Sequence, residues 1–112
     1  MVGSAILKKI INKTDIEVHT ANKSAVNLLD QTKVLEYFNN HKFDLVIDCA
    51  AKVGGIHSNN TYRADFIYEN LQIQNNLIHA SYLSKVKKFL FLGSSCIYPK
   101  ENPIPIKENR LL

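Results

Sequence analysis

The stretch FLFLGSSCIYP, residues 89–99, runs four apolar residues into a glycine, two serines, a cysteine and a tyrosine. A strand with one wet face alternates apolar and polar side chains, whereas Lys88-Phe-Leu-Phe-Leu-Gly-Ser94 does not. It reads as a strand covered on both faces, as in a parallel sheet with helices packed on each side. Asp44-Leu-Val-Ile-Asp-Cys-Ala-Ala51 reads the same way. Asp15–Thr20 is a weaker strand candidate and Ala25–Leu29 a short one.

Between these runs the period changes. Thr32–His41 puts Val34, Leu35 and Phe38 on one helical face. From Arg63 to Ser84, Phe66, Asn70, Ile73, Leu77 and Ala80 recur at helical steps, leaving one amide on an otherwise apolar stripe. Ser4–Asn12 reads as a further helix. Pro103 and Pro105 exclude regular helix from the tail at 100–107. Strands alternating with helices predict an α/β class with a doubly wound parallel sheet. Ligands of such sheets sit beyond the carboxyl ends of the strands, which makes a small polar strand ending a candidate ligand wall.

Composition narrows the functions. The chain has 112 residues, 46% hydrophobic and 21% charged, enough for one small domain. Its net charge of +4 comes from lysines scattered over several segments, with no basic stripe interleaved with aromatics, so no nucleic-acid partner is expected. No apolar run approaches the ~20 residues of a membrane span, and no membrane partner is expected either. Cys49 and Cys96 are too few and too far apart for a zinc ribbon or a disulfide framework. They read as reduced thiols of a cytoplasmic protein.

Three features stand where chemistry would be done. After the first long strand comes Cys-Ala-Ala-Lys-Val-Gly-Gly55, whose small residues let backbone N–H groups approach a ligand. Spacing alone favours a plain strand-to-helix turn. After the second come Gly93, Ser94, Ser95 and Cys96, with a hydroxyl able to donate to a substrate oxygen and a thiol able to exchange a proton. Composition alone favours serines that cap the chain's exit from the sheet and a cysteine that fills core. Asn70 is a candidate hydrogen-bonding post for a neighbouring loop. His57 lies beside the glycine pair, while His19, His41 and His79 show no partner pattern.

CAAKVGGIHSNNTYRADFIYENLQIQNNLIHA followed by FLFLGSSCIYPK resembles the GDP-L-fucose synthases of the extended short-chain dehydrogenase/reductase family, the NAD-dependent epimerases and dehydratases. The opening MVGSAI is similar to the end of that family's glycine-rich loop and VNLLD to its adenine-side segment, so the likeness runs from Met1 to about Lys100. It implies NADPH-dependent epimerisation and reduction of GDP-4-keto-6-deoxymannose to GDP-L-fucose, with a GDP-sugar substrate, NADP(H) as cofactor and a homodimer as the family's assembly. By position it makes Ser94 the hydroxyl that helps polarise the sugar carbonyl and Cys96 the proton-transfer residue, with Ser95 a secondary contact. Gly3 becomes the last glycine of the dinucleotide loop, and Asp30 takes the adenine side. Ala50, Ala51 and Lys52 line the cofactor, while Val53, Gly54 and Gly55 continue toward the sugar. Lys23 falls where a basic residue holds the 2′-phosphate of NADP, as a point charge and not a bidentate fork. Another NAD(P)-dependent sugar epimerase or dehydratase, or a non-catalytic nucleotide-binding module, is the alternative reading.

The chain departs from the pattern at both ends. Met1 precedes Gly3 by two residues, without the strand and earlier glycines of the fingerprint, and Tyr62, Tyr68 and Tyr98 have no lysine four residues on. Residues 1–112 are therefore expected to be a partial NADP-binding Rossmann domain, truncated at both ends and inactive alone, or else a half that a separate chain complements. The fold expected is an incomplete doubly wound sheet with helices on both faces.

Overall fold

The computed structural model describes residues 1–111. Helix α1 spans Val2–Ile10, with Lys8 and Lys9 in its last turn where cations offset the helix dipole. Helix α2, Gln31–Asn40, begins at Asp30, whose side chain accepts a hydrogen bond from the Lys33 N–H and so satisfies an otherwise orphaned donor. Strand β1 follows at Leu45–Asp48, then the short α3 at Ile56–Thr61, the long α4 at Arg63–Leu83 and strand β2 at Lys88–Phe91. Two single 3₁₀ turns occupy Ser95–Ile97 and Glu108–Arg110.

β1 and β2 pair in parallel, Leu45 opposite Lys88 through Asp48 opposite Phe91. A parallel pair needs a long crossover, and α3 with α4 supplies it. Val46 and Phe89, opposite one another, share the face that meets the helices. There Val34 and Phe38 of α2 and Leu77 and Ala80 of α4 are buried, with Leu35, Phe43, Ile73 and Val86 packed around them. Of the stripe read from α4, Ile73, Leu77 and Ala80 are therefore core-facing. Asn76 (3% exposed) ties a loop to this helix, its Nδ2 donating to the Leu28 carbonyl at 2.8 Å while its Oδ1 accepts from Gln72.

Both strands are shorter than the runs predicted at 44–51 and 88–94. Ladder pairing stops where the chains diverge, so Cys49–Ala51 and Leu92–Ser94 become loops. Asp15–Thr20 and Ala25–Leu29 are not strands. A strand needs a neighbour for its N–H and C=O groups, and among the described residues none lies beside 15–20. At 22–29 the asparagines impose turns: Asn22 Oδ1 accepts from the N–H groups of Ser24 and Ala25, and Asn27 Oδ1 from that of Leu29. The second face of the sheet is less covered than the apolar runs predict, because α1 buries no residue. Leu45 is 50% exposed on that face and Leu90 is 47% exposed.

Helix α4 ends in a Schellman turn. Lys85 takes the left-handed conformation (φ 56°), its N–H donating to the Tyr82 carbonyl and that of Val86 to the Ser81 carbonyl. The turn delivers the chain into β2, and its Lys87 pairs with Asp44 at 2.7 Å. Among the described residues no helix is long and apolar enough to cross a membrane.

Candidate functional site

Because β1 and β2 run in parallel, the loops that follow them leave the same rim of the sheet. The Leu92 N–H still reaches the Asp48 carbonyl at 3.4 Å, so the segments at 49–55 and 92–96 start side by side. Helix α1 joins them. A Cβ on Gly3 would lie 3.3 Å from Cys49 Cβ, tighter than most Cβ contacts, so the missing side chain lets α1 approach the end of β1.

The 49–55 loop is bonded by its own polar groups. Asp48 (5% exposed) turns Oδ1 onto the Ala50 N–H at 2.9 Å, while its Oδ2 is buried without a partner among the described residues. Burial pushes the Asp48 carboxyl above the usual range, and the Ala50 amide offsets part of that rise. Asn70 is the post that the amide on the apolar stripe suggested: its Oδ1 accepts from the Lys52 N–H at 2.7 Å and its Nδ2 donates to the Lys52 carbonyl at 3.0 Å. Lys52 Nζ pairs with Glu69 Oε1 at 2.5 Å and lies 5.3 Å from the centre of the Phe66 ring. Asn59 Nδ2 donates to the carbonyls of both Gly54 and Gly55.

The two glycines serve different ends. A Cβ at Gly54 would fall 2.9 Å from Phe66 Cζ and 3.1 Å from Ser58 Cβ, so a side chain there would force the Phe66 ring or Ser58 to shift. Gly55 precedes α3 with φ −71°, open to any residue, and a Cβ there would meet nothing within 4 Å. Gly93 on the second loop is likewise free of neighbours. Open space at two glycines on one rim suits the close approach of a ligand backbone or phosphate.

On the second loop Ser94 Oγ accepts from the Cys96 N–H at 3.1 Å, capping the turn at Ser95–Ile97. That bond uses a lone pair and leaves the hydroxyl proton free to donate. The cap expected from composition and a donor aimed at a ligand are thus compatible in one side chain. Ser94, Ser95 and Cys96 are all exposed, so Cys96 is not the small core residue that composition favoured. Val53 is 83% exposed on the first loop.

Lys23 and Asp30 are not drawn into this rim by any hydrogen bond or ion pair among the described residues. Lys23 is exposed in the turn that Asn22 organises, and Asp30 Oδ1 is engaged as the cap of α2. His57 is exposed on α3. His19 and His41 do have partners, since their rings meet edge to face at 5.2 Å and both pack on Phe43. Sequence reasoning also missed Asp48, Asn59, Phe66 and Glu69, which hold the first loop. Only the placement of Phe66 on the α4 stripe and of Glu69 beside Asn70 hinted at any of them.

Parallel strands, a glycine-mediated helix contact and a rim of small polar residues define a nucleotide-type α/β site. The chain belongs to the NAD dependent epimerase/dehydratase family, whose pattern it matches over residues 1–112. Its relatives include a putative GDP-L-fucose synthase of Arabidopsis thaliana, 53% identical over the whole chain, and the GDP-L-fucose synthase of Escherichia coli K12, 49% identical over the same length. The chain spans about a third of the length of these relatives (34% and 35%). It also superposes on the GDP-mannoheptose C4 reductase of Campylobacter jejuni with NADP bound, at a TM-score of 0.88 and 37% identity, over 97% of this chain and 34% of that one.

Proposed function

We propose that this chain is the cofactor-binding part of an NADPH-dependent GDP-sugar epimerase-reductase of the GDP-L-fucose synthase kind, acting in the cytoplasm on GDP-4-keto-6-deoxymannose. The observation that carries the reading is the shared rim: the Ala-Ala-Lys-Val-Gly-Gly and Gly-Ser-Ser-Cys loops, far apart in sequence, leave adjacent parallel strands. Identity near one half to the fucose synthases supports the substrate class. The NADP in the Campylobacter reductase supports the cofactor.

In this reading Gly3, Ala50, Ala51 and Lys52 line the dinucleotide, with Asp30 toward its adenine and Lys23 toward its 2′-phosphate. Val53, Gly54, Gly55 and Ser95 face the sugar. Ser94 donates to the sugar carbonyl, and Cys96 moves protons at the carbons beside it. The ketone acidifies those C–H bonds, so the residues' task is to position the sugar and stabilise the enolate charge. Bound NADPH supplies the hydride. No tyrosine in the chain has a lysine four residues on, so residues 1–112 are expected to bind cofactor without turnover. A homodimer, or pairing with a complementing chain, is the assembly this reading favours.

Titration of NADPH fluorescence with the chain tests the proposal. Saturable binding, weakened when Lys23→Met removes the exposed charge assigned to the 2′-phosphate, is the expected result. A chain that ignores NADPH defeats the cofactor reading, and one that reduces the keto-sugar unaided defeats the expected inactivity.

A further inference from the structure

Lys52 is the most heavily restrained residue of the rim. Its backbone N–H and C=O are both bonded by Asn70, its ammonium is paired with Glu69, and the same ammonium lies over Phe66. All three partners stand on the first two turns of α4. Phe66 also closes against Gly54, so one ring touches the loop on both sides of Val53. A lysine placed to meet a ligand phosphate would keep its ammonium free at the end of a mobile stem. Here the ammonium is paired with Glu69 and lies over Phe66, which costs the stem rotamer freedom and leaves the charge already balanced. The Lys52 and Glu69 side chains are each only 31% exposed, so solvent screens their pairing less than that of a bridge standing in water.

We infer that Glu69 is a positioning residue for the rim: by pairing with Lys52 it makes that lysine a strut that fixes the 49–55 loop, and Lys52 does not itself meet the cofactor's charge. The inference rests on the proposed dinucleotide reading and reassigns one of its residues. Asn70 fixes the backbone of Lys52, and the ion pair fixes the far end of its side chain. With two anchored points the residue cannot swivel, and Ala51 and Val53 on either side are held in register. Glu69→Gln keeps the size and helix preference of the side chain but removes the charge that holds the strut.

The two roles of Lys52 predict opposite results for NADPH titrations of the full chain at low and moderate salt. For a strut, K52M and E69Q each weaken binding roughly three- to tenfold. The double variant is no weaker than the worse single one, the exchanged pair K52E/E69K recovers most of the loss, and K52M keeps the wild-type salt dependence. For a lysine that contacts phosphate, K52M flattens the salt dependence, E69Q tightens binding by freeing the ammonium, and K52E/E69K binds worst. That second pattern overturns the inference.

Amide hydrogen exchange without cofactor gives an independent reading. E69Q and K52M should speed exchange at residues 51–55 and leave α2 unchanged, whereas unaltered exchange at 51–55 overturns the strut. A wild-type chain that fails to bind NADPH removes the cofactor reading and the purpose assigned to the strut, while the exchange result still decides whether the strut exists.

Discussion

Among the described residues, Asp48 Oδ2 and Ser81 Oγ are buried side-chain atoms without a hydrogen-bond partner, and of the two residues Asp48 is the titratable one. One oxygen bonds Ala50 and the other is buried without a partner, so the folded protein holds the carboxyl proton more tightly than the unfolded chain does. For an acid raised in this way, stability is fully present below the unfolded value of about 3.9 and is lost as pH rises through the folded value. Asp48→Asn keeps an acceptor for the Ala50 N–H and removes the charge. In urea unfolding it should be more stable than wild type at pH 7, with the two converging below about pH 4. A gap that stays constant with pH would contradict this account. Single residues were legible unevenly. Ser94, Cys96 and Asn70 announced themselves as polar groups in apolar settings. Glu69, Phe66 and Asn59 did not, because ordinary residues on a helix gain meaning only when a distant loop is laid against them.

At the scale of elements, α2 and α4 were legible nearly to the residue, since a stripe at helical spacing is a local signal, whereas the cap that Asp30 provides to α2 was not read from the sequence. The strands were overread at their ends. Apolar composition continues past Phe91 and Asp48, but pairing depends on the partner strand and not on hydropathy. The candidate at 15–20 failed for the same cause, that at 25–29 because Asn22 and Asn27 turn the chain, and α3 escaped notice because six residues hold less than two turns. Helix α4 also offers a local test. Lys85 occupies a left-handed position that glycine takes without strain, and its side chain is exposed. Lys85→Gly should raise stability by about 0.5–1 kcal/mol, with the relief of Cβ strain exceeding the added freedom of the unfolded chain. Thermal unfolding followed by circular dichroism measures it, and a lowered midpoint would show the Schellman turn to be unstrained.

The whole molecule is open for its length. Its radius of gyration is 16.1 Å, against about 13 Å for a compact domain of this size, and its extents are 44 × 31 × 25 Å. The core packs on one face of a sheet with two strands among the described residues, leaving Leu45 and Leu90 exposed on the other. An apolar sheet face with unpaired edges attracts further chains, and a net charge of +4 opposes this only weakly. Sedimentation velocity should therefore show association that grows with concentration and that Leu90→Lys reduces. A monomer at every concentration would mean that this face is closed in solution. This feature was hidden in the sequence, where continuous apolar runs implied two covered faces. Hydropathy records which surfaces need cover, not which receive it.

The parallel pairing of β1 and β2 has a practical corollary. The strands begin at the end of the sheet opposite the rim, where the Schellman turn and the Lys87–Asp44 pair lie. A chain immobilised on a solid support through residues 84–87 would present its rim outward, and a sensor surface built that way would leave the approach of small molecules unobstructed.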